Sequence, residues 1–217
     1  MTTIMLEHNR VQLALHALKA GEGRALLLLH GLGERSPAAL PSEYSRWKGP
    51  VYALDFTGHG ASTVPRGGGY TCELLMADAD AALGRLSQAT IVGRGLGAYV
   101  ALLIAGGRPE QVRGAILRDG SGLAGGGAGA TTPTIPHVDA DAPAPPDPYA
   151  MVDLATDIRP PDYATAYARA AALFSGLKRP ITVCTRERPD WLAAVVSELG
   201  ADEASLGQAL AHYAKRA

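Results

Sequence analysis

The run Ala25-Leu-Leu-Leu-Leu29 has no polar position in it, whereas Arg10 to Lys19, just upstream, alternates apolar with polar residues. The alternating segment predicts a strand with one wet face, and the uninterrupted run predicts a strand buried on both faces, as in a parallel sheet. Gly21-Glu-Gly23 supplies the turn between them. Further buried-strand runs follow at Val51 to Asp55, Ala89 to Val92, Val112 to Arg118 and Ile181 to Thr185. The intervening stretches read as helices. Cys72 to Leu86 places Leu75, Ala79, Ala82, Leu83 and Leu86 along one face. A short helix is expected around Ser42 to Trp47 and an apolar one over Ala98 to Ala105. Helical pattern resumes at Tyr149, is strongest over Asp162 to Leu177, and returns in Trp191 to Leu199 and Ser205 to Arg216. Strands that alternate with helices, the first four buried runs each closed by a glycine-bearing turn, predict an α/β fold with a mostly parallel sheet flanked by helices.

Ser121 to Pro148 breaks the pattern with Gly, Ala, Thr and Pro and almost no bulky apolar residue, which predicts a loop. The full length of 217 residues suits one domain over 1–217, with 121–148 as its long excursion. Charge narrows the partners: 20 basic against 21 acidic residues give −1, without the footprint of a nucleic-acid binder or of a protein held on an anionic membrane. A small-molecule ligand or a protein partner remains, and an oligomer is compatible with the sequence. Cys72 and Cys184 have no paired spacing, which predicts neither disulfide nor zinc site and points to a reducing, cytoplasmic setting. Met1 to Arg10 lacks a signal-peptide core, and no apolar stretch is long enough to span a bilayer. The abundance of Ala, Gly and Arg beside only four Lys suggests a GC-rich bacterial source.

The chemistry concentrates in three strand-end turns: His30-Gly31-Leu32-Gly33, Asp55-Phe-Thr-Gly58-His59-Gly60-Ala-Ser62 and Gly93-Arg94-Gly95-Leu96-Gly97. In order and separation they resemble the turns of α/β-hydrolases, a likeness that covers roughly residues 10 to 120. The resemblance implies that the first turn supplies an oxyanion-hole amide, that the second is structural, and that the third is the nucleophile elbow G-x-S-x-G. Here the nucleophile position is Gly95. A non-glycine nucleophile on that turn carries backbone strain of about 1–3 kcal/mol, which glycine avoids. The candidate acids are Asp119 and Asp190, and the one histidine near the end of the chain's predicted elements is His212, inside a helical pattern. Gly200 to Ala204 leaves no room for a last strand plus a histidine loop unless Val195-Val196 is itself a strand. The segment in the lid position is too short and too polar for a substantial cap, predicting a minimal or absent one over an open or loop-covered site.

Other residues also bear on the chemistry. Cys72 opens a helix, where its thiol could be activated, but a packed thiol is the simpler expectation; Cys184 is expected in the core. Ser121 beside Asp119, with His137 in the following loop, has no elbow to hold it. His30 and His59 are expected to be structural hydrogen-bonding groups, and His8 and His16 have no companions at metal-ligand spacing, so neither metal nor cofactor is expected. One rival uses the same glycines. Gly93-Arg94-Gly95-Leu96-Gly97-Ala98 fits G-x-G-x-x-G/A after a strand, and Asp119 ends the next strand where a ribose-binding acid would lie. The expectation is a protein without a complete Ser-His-Asp triad, binding a ligand near Gly31, Leu32, Arg94, Gly95 and Leu96. The alternatives are an ester or amide hydrolase or lyase with relocated catalytic groups, and a dinucleotide-binding protein.

Overall fold

The computed structural model describes residues 2–129, 144–201 and 203–214. Seven strands form one sheet: β1 (Thr2–His8), β2 (Val11–Lys19), β3 (Ala25–Leu29), β4 (Val51–Leu54), β5 (Ala89–Arg94), β6 (Val112–Arg118) and β7 (Ile181–Cys184), in spatial order β1-β2-β4-β3-β5-β6-β7. The five strands from β4 through β7 in that order are parallel, and β1 and β2 run antiparallel to their neighbours. All five residues of β3 are buried, as its lack of polar positions requires at the middle of a covered sheet.

β1 was not expected from the sequence, although Ile4 and Leu6 alternate with exposed neighbours in the half-buried manner of an edge strand. The helices are α1 (Cys72–Leu86), α2 (Leu96–Gly107), α3 (Pro148–Thr156), α4 (Pro161–Phe174), α5 (Asp190–Leu199) and α6 (Leu206–Ala214). Thr71 caps α1, its hydroxyl accepting from the Leu74 amide at 3.2 Å. Every residue of α2 from Leu96 to Ala105 is buried, because it lies against β5 and β6 with α1 and α4 beside it.

The sheet separates two apolar cores. One joins Leu27, Leu29 and Ile91 to α1, α2, α4 and α5; the other joins Leu26, Leu28, Ala53, Val92 and Ile116 to Tyr44, Trp47 and α6. The second face has thin cover at the strand tops, since among the described residues the β3–β4 connection holds only the 3-10 turn Ser42–Tyr44, where a short helix over Ser42 to Trp47 was expected. Val195-Val196 lies within α5, so the strand alternative for it does not hold. Among the described residues after α5, Glu203 makes a parallel bridge to Val183 and the chain then enters α6, with no further strand beside β7. The loop expected over 121–148 shows turns and bends in its described parts, with α3 starting at Pro148; residues 130–143, His137 among them, lie outside the described residues.

Candidate functional site

The turn between β5 and α2 forms because the chain must pass from an extended to a helical direction within one residue. Gly95 does this at φ 58° and ψ −121°, a conformation that L side chains rarely adopt. The turn is then fixed from below, where the Gly97 amide donates to the His30 carbonyl at 3.1 Å. A Cβ on Gly97 would lie 2.6 Å from the His30 and Leu29 carbonyl oxygens, so glycine is what lets the helix approach the end of β3.

Two backbone amides face one point above this turn, Leu32 from the first glycine turn and Leu96 from the third. Both donate to the carbonyl oxygen of Ser121, at 3.0 and 2.9 Å. That is the geometry of an oxyanion hole, two preorganised donors converging on one oxygen, and the oxygen in it belongs to the chain itself. The same carbonyl stands where a side chain on Gly95 would begin: a Cβ there would come 2.1 Å from Ser121 O and 2.6 Å from the Gly120 carbonyl carbon. No real Cβ tolerates those distances. A serine at this position therefore requires the 120–122 backbone to move.

The Gly120–Leu123 loop is held from behind by Arg159, which is fully buried. Its Nη1 donates to the carbonyls of Gly122 and Leu123 at 2.6 and 2.5 Å, and its guanidinium stacks over the Tyr99 ring at 4.8 Å. Nε1 of Trp191 adds a bond to Leu123 O at 2.9 Å. In front, Glu34 accepts from the Gly31 amide at 3.1 Å and the Ser121 hydroxyl at 3.2 Å, and pairs with Arg94. Ser121 thus bonds a carboxylate. The two histidines nearest the turns are committed elsewhere: His30 donates to Gly31 O and accepts from the Phe56 amide, while His59 donates to Thr57 O and accepts from the Gly33 amide. Burial, then the neighbouring His59, pushes His30 down to about 4, and burial also lowers His59, so both rings are neutral brackets between turns.

The second turn is a closed network. Asp55 accepts from the Ser36 amide at 2.7 Å, the Ala61 amide at 2.8 Å and His16 Nε2 at 2.9 Å, while Ser62 donates to Asp55 O at 2.6 Å. Burial alone would raise the Asp55 carboxyl; these donors outweigh it and hold the group below its ordinary value. His16, without companions in the sequence reading, has its partners here, with Thr3 on its other nitrogen at 2.9 Å.

The remaining candidates are dispersed. Asp119 closes the β6–β7 side by accepting from the amides of Arg186 and Glu187 at 2.9 to 3.2 Å. Asp190 is the first residue of α5. His212 lies in the last turn of α6, next to Tyr213, whose hydroxyl reaches Arg179 O at 3.0 Å just before β7 begins. His212 is thus at the strand N-terminal end, across the sheet from Gly95. Cys72 is fully buried, and burial raises its thiol despite the helix start; Cys184 is only half-buried, not core, and is pushed up to about 11 by burial.

The phosphate cradle required by the dinucleotide reading is likewise filled. Gly95, Leu96, Gly97 and Ala98 donate to Arg118 O, Ser121 O, His30 O and Gly95 O respectively, which leaves no amide of this turn to a phosphate. Asp119 is turned to the 186–187 amides. Among the described residues no group of three or more His, Cys, Asp or Glu could hold a metal ion, and no helix is long and apolar enough to cross a membrane.

The sequence pattern of the alpha/beta hydrolase family matches residues 26–217, and the chain belongs to that family. The thioesterase domain from the curacin biosynthetic pathway superposes with a TM-score of 0.64 at 18% identity, covering 100% of this chain and 98% of that one. An N-formylmaleamic acid deformylase from Pseudomonas putida S16 gives 0.63 at 13% identity over 91% of this chain and 88% of its own. At these identities the likeness is one of fold. No curated protein matches the sequence.

Three contributors to the site escaped the sequence reading. The Ser121 carbonyl is backbone and carries no residue signal, and Arg159 reads as an ordinary surface arginine until its burial is known. Glu34 sits directly after the first glycine turn, a position that could have flagged it.

Proposed function

We propose that this chain is a non-hydrolytic member of its family that binds a small ligand at the C-terminal ends of the strands, without a Ser-His-Asp triad. The observation that carries the reading is the Ser121 carbonyl, which accepts from the Leu32 and Leu96 amides and occupies the place of a side chain on Gly95. Acyl transfer needs an attacking atom at the elbow and an empty pair of donors for the developing oxyanion; here one is a glycine and the other is filled. The placement of His212 at the far end of the sheet supports the same reading, as do the commitments of His30 and His59, which leave Ser121 without an imidazole base among the described residues.

The test is turnover of a panel of short-chain fluorogenic esters and thioesters by the purified protein and by Gly95→Ser. Neither is expected to exceed the buffer rate, because the serine would meet the 120–122 backbone. Saturable turnover that follows the protein through successive columns would overturn the proposal and favour a relocated catalytic group.

A further inference from the structure

Period-two alternation along parallel strands places Leu28 with His30, Ala53 with Asp55, Val92 with Arg94 and Ile116 with Arg118 on the face that carries α6. Because that face is thinly covered at its top, a cavity of about 200 Å³ opens there. Its floor is Leu28, Ala53 and Val92, and its charged wall is Arg94 and Arg118. These two arginines are direct register partners on β5 and β6, one strand spacing of about 4.8 Å apart. Like charges set abreast on a sheet are unfavourable, so the pair needs counter-ions. Each has one: Arg94 pairs with Glu34, and Arg118 Nη1 donates to Glu43 and to the Tyr44 hydroxyl, both at 2.6 Å. Each guanidinium has five N–H donors, and these bonds engage only Nη1 of either one.

The charge count around the cavity is uneven. Arg35, Arg94 and Arg118 face Glu34 and Glu43, three cations against two carboxylates, and His30 is neutral. A single added negative charge balances the wall; a neutral ester leaves it positive and a dianion reverses it. The volume sets the body: a cavity of roughly 150 Å³ holds a benzene ring, and this one is slightly larger. We propose that the cavity binds a compact monocarboxylate, its carboxylate bridging Arg94 and Arg118 and its apolar body, about the size of one ring or a short branched chain, resting on Leu28, Ala53 and Val92. The site lies on the opposite sheet face from α2 and is separate from the filled oxyanion hole, with Glu34, His30 and Arg94 between the two. The inference rests on the binding reading above, for which it names the ligand class.

Benzoate is the probe, titrated into the ¹⁵N-labelled full chain. The expected result is saturable shifts of the Leu28, Val92, Arg94 and Arg118 amides. Arg94→Gln and Arg118→Gln should each weaken binding tenfold or more while the rest of the spectrum stays that of the folded protein. Methyl benzoate should bind at least tenfold more weakly, phthalate likewise. Glu43→Gln, which removes a competing carboxylate, should tighten benzoate a few-fold, an effect that loss of a merely structural ion pair would not produce. Absence of saturable shifts at these amides, or equal binding of acid and methyl ester, or of either arginine variant and wild type, overturns the proposal. Ester turnover alongside intact benzoate binding would sink the non-hydrolytic reading and leave this one standing; no turnover and no benzoate binding would do the reverse.

Discussion

The turns after β4 and β5 have had opposite fates. After β4, Asp55 is a buried carboxylate with donors from Ser36, Ala61 and His16, and Thr57, His59 and Ser62 of the same motif bond Asp78, Gly33 and Ala14. After β5 the backbone shape of an elbow persists, Gly95 included, but the space above it, where a reaction would need room, contains the Ser121 carbonyl. The difference teaches that the two kinds of constraint separate cleanly. The bonds of the first hold the sheet and its loops together, while the Leu32 and Leu96 amides of the second are satisfied by a loop carbonyl.

Breaking the turn after β4 should cost most. Asp55→Ala leaves His16 and two amides without their acceptor, and an expected loss of about 3–5 kcal/mol can be read from denaturant unfolding; a loss below about 1 kcal/mol would show that the network is decorative. Arg159→Met comes next. It removes the bonds to Gly122 O and Leu123 O and should cost about 2–3 kcal/mol, with hydrogen exchange at Leu32 and Leu96 rising while exchange at Ala61 stays slow. Equal acceleration at both turns would deny that they are independent. Gly95→Ala should destabilise by about 1–3 kcal/mol from strain at positive φ and displace the 120–122 backbone, visible as amide shifts in that loop; a neutral substitution with no shift would contradict the close packing described.

The effect confined to a pH window concerns Asp78, buried on α1 and accepting from the Thr57 amide and hydroxyl at 2.8 and 2.9 Å. Burial raises its carboxyl to about 7 against the lowering by Thr57. A raised acid binds a proton in the folded state that the unfolded chain has already released, so its contribution to stability falls as pH rises from the ordinary carboxylate range through about 7 and is level above that. Asp78→Asn removes the titration, so its stability relative to wild type should rise by a few kcal/mol between pH 4 and pH 8. A constant offset at all pH values would assign the effect to packing.

Much of the scaffold was legible in the sequence because burial on both faces writes an unmistakable pattern: β3, the span of α1 from Cys72 to Leu86, and the order of helices and strands all follow from it. The family turns were legible through their glycines, and the departure at Gly95 was visible as a single letter. β1 was missed because its alternation is short and half-exposed. The Ser121 carbonyl over the elbow was not legible at all. The sequence marks Ser121 by its hydroxyl, yet it acts through its carbonyl, and a carbonyl is common to every residue. Arg94 was singled out beside the elbow, but its register partner Arg118 emerges only once the strands are aligned.

The most direct measurement is the through-hydrogen-bond scalar coupling between backbone amide nitrogens and carbonyl carbons in the ¹³C,¹⁵N,²H-labelled protein. The account predicts cross-peaks from both Leu32 and Leu96 amides to the Ser121 carbonyl, with slow solvent exchange at each. Absence of both cross-peaks, with fast exchange at Leu32 and Leu96 in an otherwise protected sheet, would mean an empty oxyanion hole and would contradict the central claim.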